Sequence, residues 1–115
     1  MPIFKRSLPA SESGFVDAVP GARVIENEMT AVQVRGRKVI LMRYDGVVYA
    51  IDSACPHAAA DLSKGSLHRW RVCCHEHDYC FDIRNGRIVW PDDETYRLRR
   101  YEAIEEGDMV KVKLP

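Results

Sequence analysis

Residues 53–82 read SACPHAAADLSKGSLHRWRVCCHEHDYCFD, and this stretch holds all four cysteines and all four histidines of the chain. A secreted disulfide framework scatters its cysteines along the sequence; thiols clustered with imidazoles point to metal instead. Cys55-Pro56-His57 sets a thiol and an imidazole two residues apart, and in an extended chain such positions share a face. Pro56 fixes a backbone angle between them and removes an amide donor. After sixteen intervening residues, 58–73, comes Cys74-His75-Glu76-His77, a Cys-x-x-His pair. Two loops thus each offer one thiolate and one imidazole, a set that suits either a tetrahedral zinc or a binuclear iron–sulfur centre. The run Cys73 to His77 also permits a rival register, Cys73-x-His75.

Outward from this stretch the chain reads as β-structure. Thr30 to Val34, Lys38 to Tyr44 and Val47 to Asp52 are rich in Val, Ile and Tyr, as a half-buried pleated surface requires. Arg35-Gly36-Arg37 and Asp45-Gly46 are turn signals between them. Asn85-Gly86 marks a hairpin joining Phe81–Arg84 to Arg87–Trp90. Glu106-Gly107-Asp108 joins Tyr101–Ile104 to Met109–Lys113, with Val110 and Val112 on one face. Ser11 and Ser13 are candidate caps of a short helical turn ending at Pro20-Gly21. The reading is all-β: one domain over residues 1–115, an antiparallel sandwich or barrel-like base carrying an inserted lobe at about 53–90. The segment from Ser53 to Phe81 is expected to be loops.

Seventeen basic residues balance seventeen acidic ones, which argues against a nucleic-acid binder. No apolar run approaches a membrane span, and Met1 to Arg6 lacks an export pattern, so a cytoplasmic chain is expected. Cys73 and Cys80 are expected to be buried thiols that act as small hydrophobes. His68 and His75 are expected to be exposed, Trp70 and Trp90 to pack in the core or loops, and Asp92-Asp93-Glu94 to form a solvated turn.

The pattern Cys55-x-His57 followed by Cys74-x-x-His77 resembles the Rieske family, and the flanks extend the likeness. Pro56, Leu62-Ser63 and Gly65 match its first loop, and Phe81-Asp82 with Asn85-Gly86 follow its second. Asp45 to Asp52 looks like the hairpin leading in, Trp90-Pro91 like the proline-bearing third loop, and Glu106 to Val110 like the closing strands. The spacing to Phe81-Asp82 favours Cys74 and His77 over the rival register. The resemblance implies one [2Fe–2S] cluster, with Cys55 and Cys74 on an inner iron and His57 and His77 on an outer one. Replacing two thiolates by neutral imidazoles makes such a centre easier to reduce; Rieske potentials span roughly −150 to +300 mV. High-potential members carry a cysteine pair at the positions of Ala60 and Glu76, and hydroxyl donors at those of Tyr79 and Phe81. This chain departs there, so a midpoint in the lower part of the range is expected. The midpoint should also fall with pH once the pH exceeds the histidine pKa of the oxidised form, because reduction raises the proton affinity of the imidazoles. His75 and Asp78 stand where the family prefers Pro and Gly.

The role implied is a monomeric one-electron carrier, passing electrons from a reductase to a terminal oxygenase without catalysis of its own. A small subunit of a larger oxidoreductase, such as a nitrite-reductase-like enzyme, is the alternative. A structural zinc module on the same four ligands is a third reading, which colour distinguishes.

Overall fold

A computed structural model describes residues 14–115. Among these residues ten strands run β1 (Phe15–Pro20), β2 (Met29–Val34), β3 (Arg37–Tyr44), β4 (Val47–Asp52), β5 (Ser66–His68), β6 (Arg71–Cys73), β7 (Cys80–Asp82), β8 (Ile88–Trp90), β9 (Arg100–Glu106) and β10 (Met109–Lys113). Six of them form an antiparallel sheet in the order β1-β10-β9-β4-β3-β2, curled into a nearly closed barrel. The other four make a small sheet, β5-β6-β7-β8. Among the described residues no helix is long and apolar enough to cross a membrane.

The all-β expectation holds, and so do the hairpins. Arg35 and Gly36, and again Asp45 and Gly46, all have positive φ, the paired conformation that a two-residue turn needs to match strand twist. Two expectations fail. Residues 15–20 form a strand paired with β10 and not a helical turn; Asp17 is the one polar residue among them, and the register shift between Asp17 and Val19 breaks any alternation that would mark a strand. Ser11 and Ser13 lie outside the described residues. The supposed loop stretch 53–81 contains β5 and β6, each of three residues, below the length at which periodicity is visible.

The run Val39-Ile40-Leu41-Met42 explains how the two sheets join. All four side chains are fully buried, yet they alternate between two cores. Val39 and Leu41 face the barrel interior with Val34, Val48, Val110 and Val112. Ile40 and Met42 face the lobe, against Leu62, Val72, Phe81 and Ile83. A strand covered on both faces reads as continuous apolar sequence, not as alternation. β3 is therefore the shared wall on which the lobe is built.

Arg43 closes the barrel. Its Nε donates to the Val24 carbonyl at 2.9 Å, Nη2 to Gly21 O at 3.1 Å, and the fork binds both Glu105 oxygens at 2.9 and 2.7 Å. One side chain thus ties the turn after β1 to β3 and β9. Arg43→Ala is expected to cost about 2 kcal/mol in denaturant unfolding, and Arg43→Lys to recover little of it, because an ammonium cannot reproduce a planar fork.

Candidate metal centre

The two predicted loops share one backbone design. Cys55 N donates to Ala60 O and Cys74 N to Tyr79 O, each at 2.8 Å, so each loop is closed by its cysteine bonding five residues ahead. The fifth residue of each has positive φ: Ala59 at 59° and Asp78 at 55°. This left-handed conformation explains the family's glycine at the second position. Asp is among the residues that adopt it at modest cost.

Cys55 and Cys74 are both free and 1% exposed, within the lobe's apolar core. Burial pushes the Cys55 thiol above its ordinary range; the amides of His57 and Ala58, which donate to its sulfur, oppose this, and the adjacent Cys74 thiol adds to it. Two buried thiols in contact are poorly served by solvent and well served by a cation. The rings of His57 and His77 lie 4.9 Å apart, edge to face. His57 Nδ1 is buried with no hydrogen-bond partner, an orphaned acceptor or donor that costs free energy unless something binds it. Among the described residues no three Cys, His, Asp or Glu side chains converge on a single point. Thiol faces thiol and imidazole faces imidazole, a donor set that fits two metal positions side by side and a [2Fe–2S] cluster between them.

Sequence reasoning missed the aromatic residues around His57. Tyr79 stacks on its ring at 3.8 Å and 11°. Tyr96 meets the same ring edge-on at 5.6 Å and Tyr79 at 5.9 Å. Tyr96 arrives from the segment after β8, and no local signal links it to position 57. His77 is exposed whereas His57 is half-buried, so the two imidazoles differ in their access to solvent. Trp70 packs on the lobe core with the Arg84 guanidinium 4.6 Å above its ring, as expected of a packing residue. Trp90 does not: it ends strand β8 and is 57% exposed. His75 is exposed; His68 is exposed too, though on a strand. Asp92 and Asp93 are exposed and Glu94 is half-buried.

Cys73 and Cys80 overturn the expectation of two buried thiols. They form a disulfide across β6 and β7, where they are direct register partners. Both are only half-buried. Because Cys73 is bonded in this way while Cys74 stays free, the rival register Cys73-x-His75 has lost its thiol.

Asp61 anchors the first loop to the barrel. Its Oδ2 accepts from Lys38 Nζ at 2.6 Å, and Oδ1 accepts from Ser63 N at 3.0 Å and Ser63 Oγ at 2.7 Å, capping the 3-10 turn Leu62–Lys64. Lys38 first, then Ser63, hold the Asp61 carboxyl down to about 2. A carboxyl depressed on folding stabilises fully above its unfolded value near 4 and loses that contribution as pH falls toward 2. Asp61→Ala is expected to cost about 1–2 kcal/mol at pH 7 after allowance for solvent screening. The gap to wild type should narrow by about half at pH 3, as read from unfolding midpoints.

Comparison with known proteins identifies the family. The Rieske [2Fe-2S] domain family model matches residues 15–102. The chain is 31% identical over 100 residues to the ferredoxin component of the naphthalene 1,2-dioxygenase system of Pseudomonas aeruginosa, covering 87% of this chain and 95% of that one. It is 37% identical over 107 residues to human apoptosis-inducing factor 3, covering 91% of this chain and 17% of that protein. Among solved structures, the ferredoxin of carbazole 1,9a-dioxygenase from Nocardioides aromaticivorans IC177 superposes with a TM-score of 0.79 at 28% identity, over 88% of this chain and 98% of that one. The chain belongs to the Rieske [2Fe–2S] domain family, and its cofactor is one Rieske-type [2Fe–2S] cluster.

Proposed function

We propose that this chain is a cytoplasmic, monomeric Rieske ferredoxin of one domain, which carries single electrons from a reductase to a terminal oxygenase and catalyses nothing by itself. The observation that carries the reading is the pairing of two buried free thiols with the buried, unpartnered Nδ1 of His57. Cys55 and Cys74 would hold the inner iron of the cluster, and His57, through its unpartnered Nδ1, and His77 would hold the outer one. The cluster, when bound, accepts and returns one electron at a higher potential than a four-cysteine centre. The protein's own part is positional. The apolar lobe core keeps water from the two sulfurs, and the amides of His57 and Ala58 favour the Cys55 thiolate. Exposed Ala58, Ala59 and His77 make a small-featured tip beside the two imidazoles that would hold the outer iron, suited to transient contact with a partner.

Similarity to ferredoxin components of ring-hydroxylating dioxygenase systems supports an oxygenase as acceptor. The match to 17% of apoptosis-inducing factor 3 favours a second reading, in which the module serves inside a larger redox assembly. A partner that co-purifies stably would select that second reading.

The midpoint is expected in the lower part of the Rieske range of roughly −150 to +300 mV. Phe81, at the position of a hydroxyl donor in high-potential members, is fully buried and has no hydroxyl, and Tyr79 lies flat on His57. Redox titration checks this. The function is tested by EPR of the dithionite-reduced protein and by NADH-driven turnover of a purified dioxygenase with its flavin reductase. A rhombic reduced signal and restored turnover are expected; a colourless protein, or a cluster that the reductase does not reduce, would reject the reading.

A further inference from the structure

We propose that the Cys73–Cys80 disulfide is a reversible redox latch on the second ligand loop, opened by a dithiol reductant to release the cluster. The proposal rests on the assignment of Cys74 and His77 as ligands. The disulfide closes a ring of residues 73–80, and both proposed ligands lie inside that ring. Residues 75–78 at its tip are exposed and the two bonded cysteines are half-buried, so an incoming thiolate has access from the solvent side. Inside the ring the loop is also held by the backbone bond from Cys74 N to Tyr79 O, by burial of Cys74 in the lobe core, and by Tyr79 and His77 against the His57 ring. With the disulfide open, the positions of Cys74 and His77 depend on those non-covalent contacts and on the strands below, and none of them closes the ring covalently.

Those strands do not depend on the disulfide. Val72 pairs with Phe81 and Arg71 with Asp82, and Val72 and Phe81 are fully buried. Reduction therefore frees the loop and leaves the lobe folded. The paired strands also keep the two thiols as neighbours, with Cα atoms 4.0 Å apart, ready to close again. Cys80 Sγ, once it carries a proton, has the Asp78 carbonyl 3.4 Å away as an acceptor.

The chemistry balances as thiol–disulfide exchange. A thiolate of the reductant attacks one cysteine sulfur, the other leaves as thiolate and takes a proton, and a mixed disulfide forms. The reductant's second thiolate then displaces the protein sulfur. The protein gains two electrons and two protons, and the dithiol becomes its own disulfide. Opening has a second consequence: it returns Cys73 to the pool of thiols beside Cys74 and restores the rival Cys73-x-His75 register. The closed latch restricts the iron to one set of ligands.

Closing a ring of this size restricts the open loop by a factor on the order of 10- to 100-fold, and cluster release should respond on that scale. The test uses the holoprotein under anaerobic conditions with an iron chelator, following the visible absorbance of the cluster. Aliquots are denatured, alkylated with iodoacetamide and weighed. Before reduction, two alkylated cysteines are expected. After treatment with dithiothreitol, four are expected, and cluster release should be faster on the order of 10- to 100-fold. The double variant Cys73→Ser/Cys80→Ser should load a cluster and release it at that fast rate without any dithiol, which separates the latch from direct attack of dithiothreitol on iron. Four alkylated cysteines in untreated protein, or release rates within twofold across all three samples, would overturn the latch. A double variant that never loads a cluster, beside a Cys74→Ala variant that does, would overturn the ligand assignment and the latch with it.

Discussion

Replacing Cys74 by alanine is expected to give a folded protein that binds no [2Fe–2S] cluster, as measured by iron and acid-labile sulfide content. The size of this effect follows from what the site is made of. Cys74 is one of only two free thiols among the described residues, and it lies against the other in the lobe core. Without it the inner iron would have one protein thiolate, and the pocket facing it would be a methyl group in apolar surroundings. The fold should tolerate the change. The substitution removes one sulfur atom from a packed core, a loss of about 1 kcal/mol by analogy with other small deletions. The backbone bond from residue 74 to Tyr79 O remains. The comparison must be made between cluster-free samples, because a ligand that binds only the folded state adds its own stabilisation to the wild type. Cluster-free wild type and variant should then unfold within about 1 kcal/mol of each other. Full iron and sulfide in the variant would remove Cys74 from the ligand set.

The parts of this molecule that were legible in its sequence are those in which chemistry or turn geometry restricts residue choice. Asp45-Gly46 demanded a two-residue hairpin, and both residues have the left-handed conformation it needs. The two Cys/His pairs stood out because few other purposes bring soft thiolates and imidazoles together at such spacing. What stayed hidden depended on long-range pairing. Strand β1 forms because β10 offers it a partner almost a hundred residues away, from Phe15 to Lys113. Tyr96 reaches His57 through the third loop, and nothing in the local sequence announces that contact. The disulfide was hidden for a different reason. Residues 73 and 80 are paired by the register of two three-residue strands, and strands that short leave no pattern. Without the register, two surplus cysteines look like two buried thiols.

Gly65→Ala is expected to cost about 3 kcal/mol and to deplete the cluster, although Gly65 is not a proposed ligand. Its φ of −88° lies outside the left-handed region, so contact is the main source of the cost. A Cβ at this position would overlap the carbonyl oxygen of Cys73, and would lie 3.1 Å from the carbon of that carbonyl and 3.3 Å from Leu62 O. Neither side can retreat cheaply. Gly65 N is bonded to Leu62 O at 3.0 Å, closing the 3-10 turn that Asp61 caps. Cys73 is held by its register partners Ser66 and Cys80 and by the disulfide. Relief must come from separating the two segments, and these are the segments that carry Cys55 and Cys74. The glycine thus sets how closely the two ligand loops approach, which gives a physical reason for a glycine there in the first-loop pattern. Gly46→Ala supplies the control. It imposes a positive φ of 79° on alanine but meets nothing within 4 Å, so it should cost about 1 kcal/mol and leave iron content unchanged. If Gly65→Ala matched Gly46→Ala in both unfolding midpoint and iron content, the two loops would not be packed as closely as described.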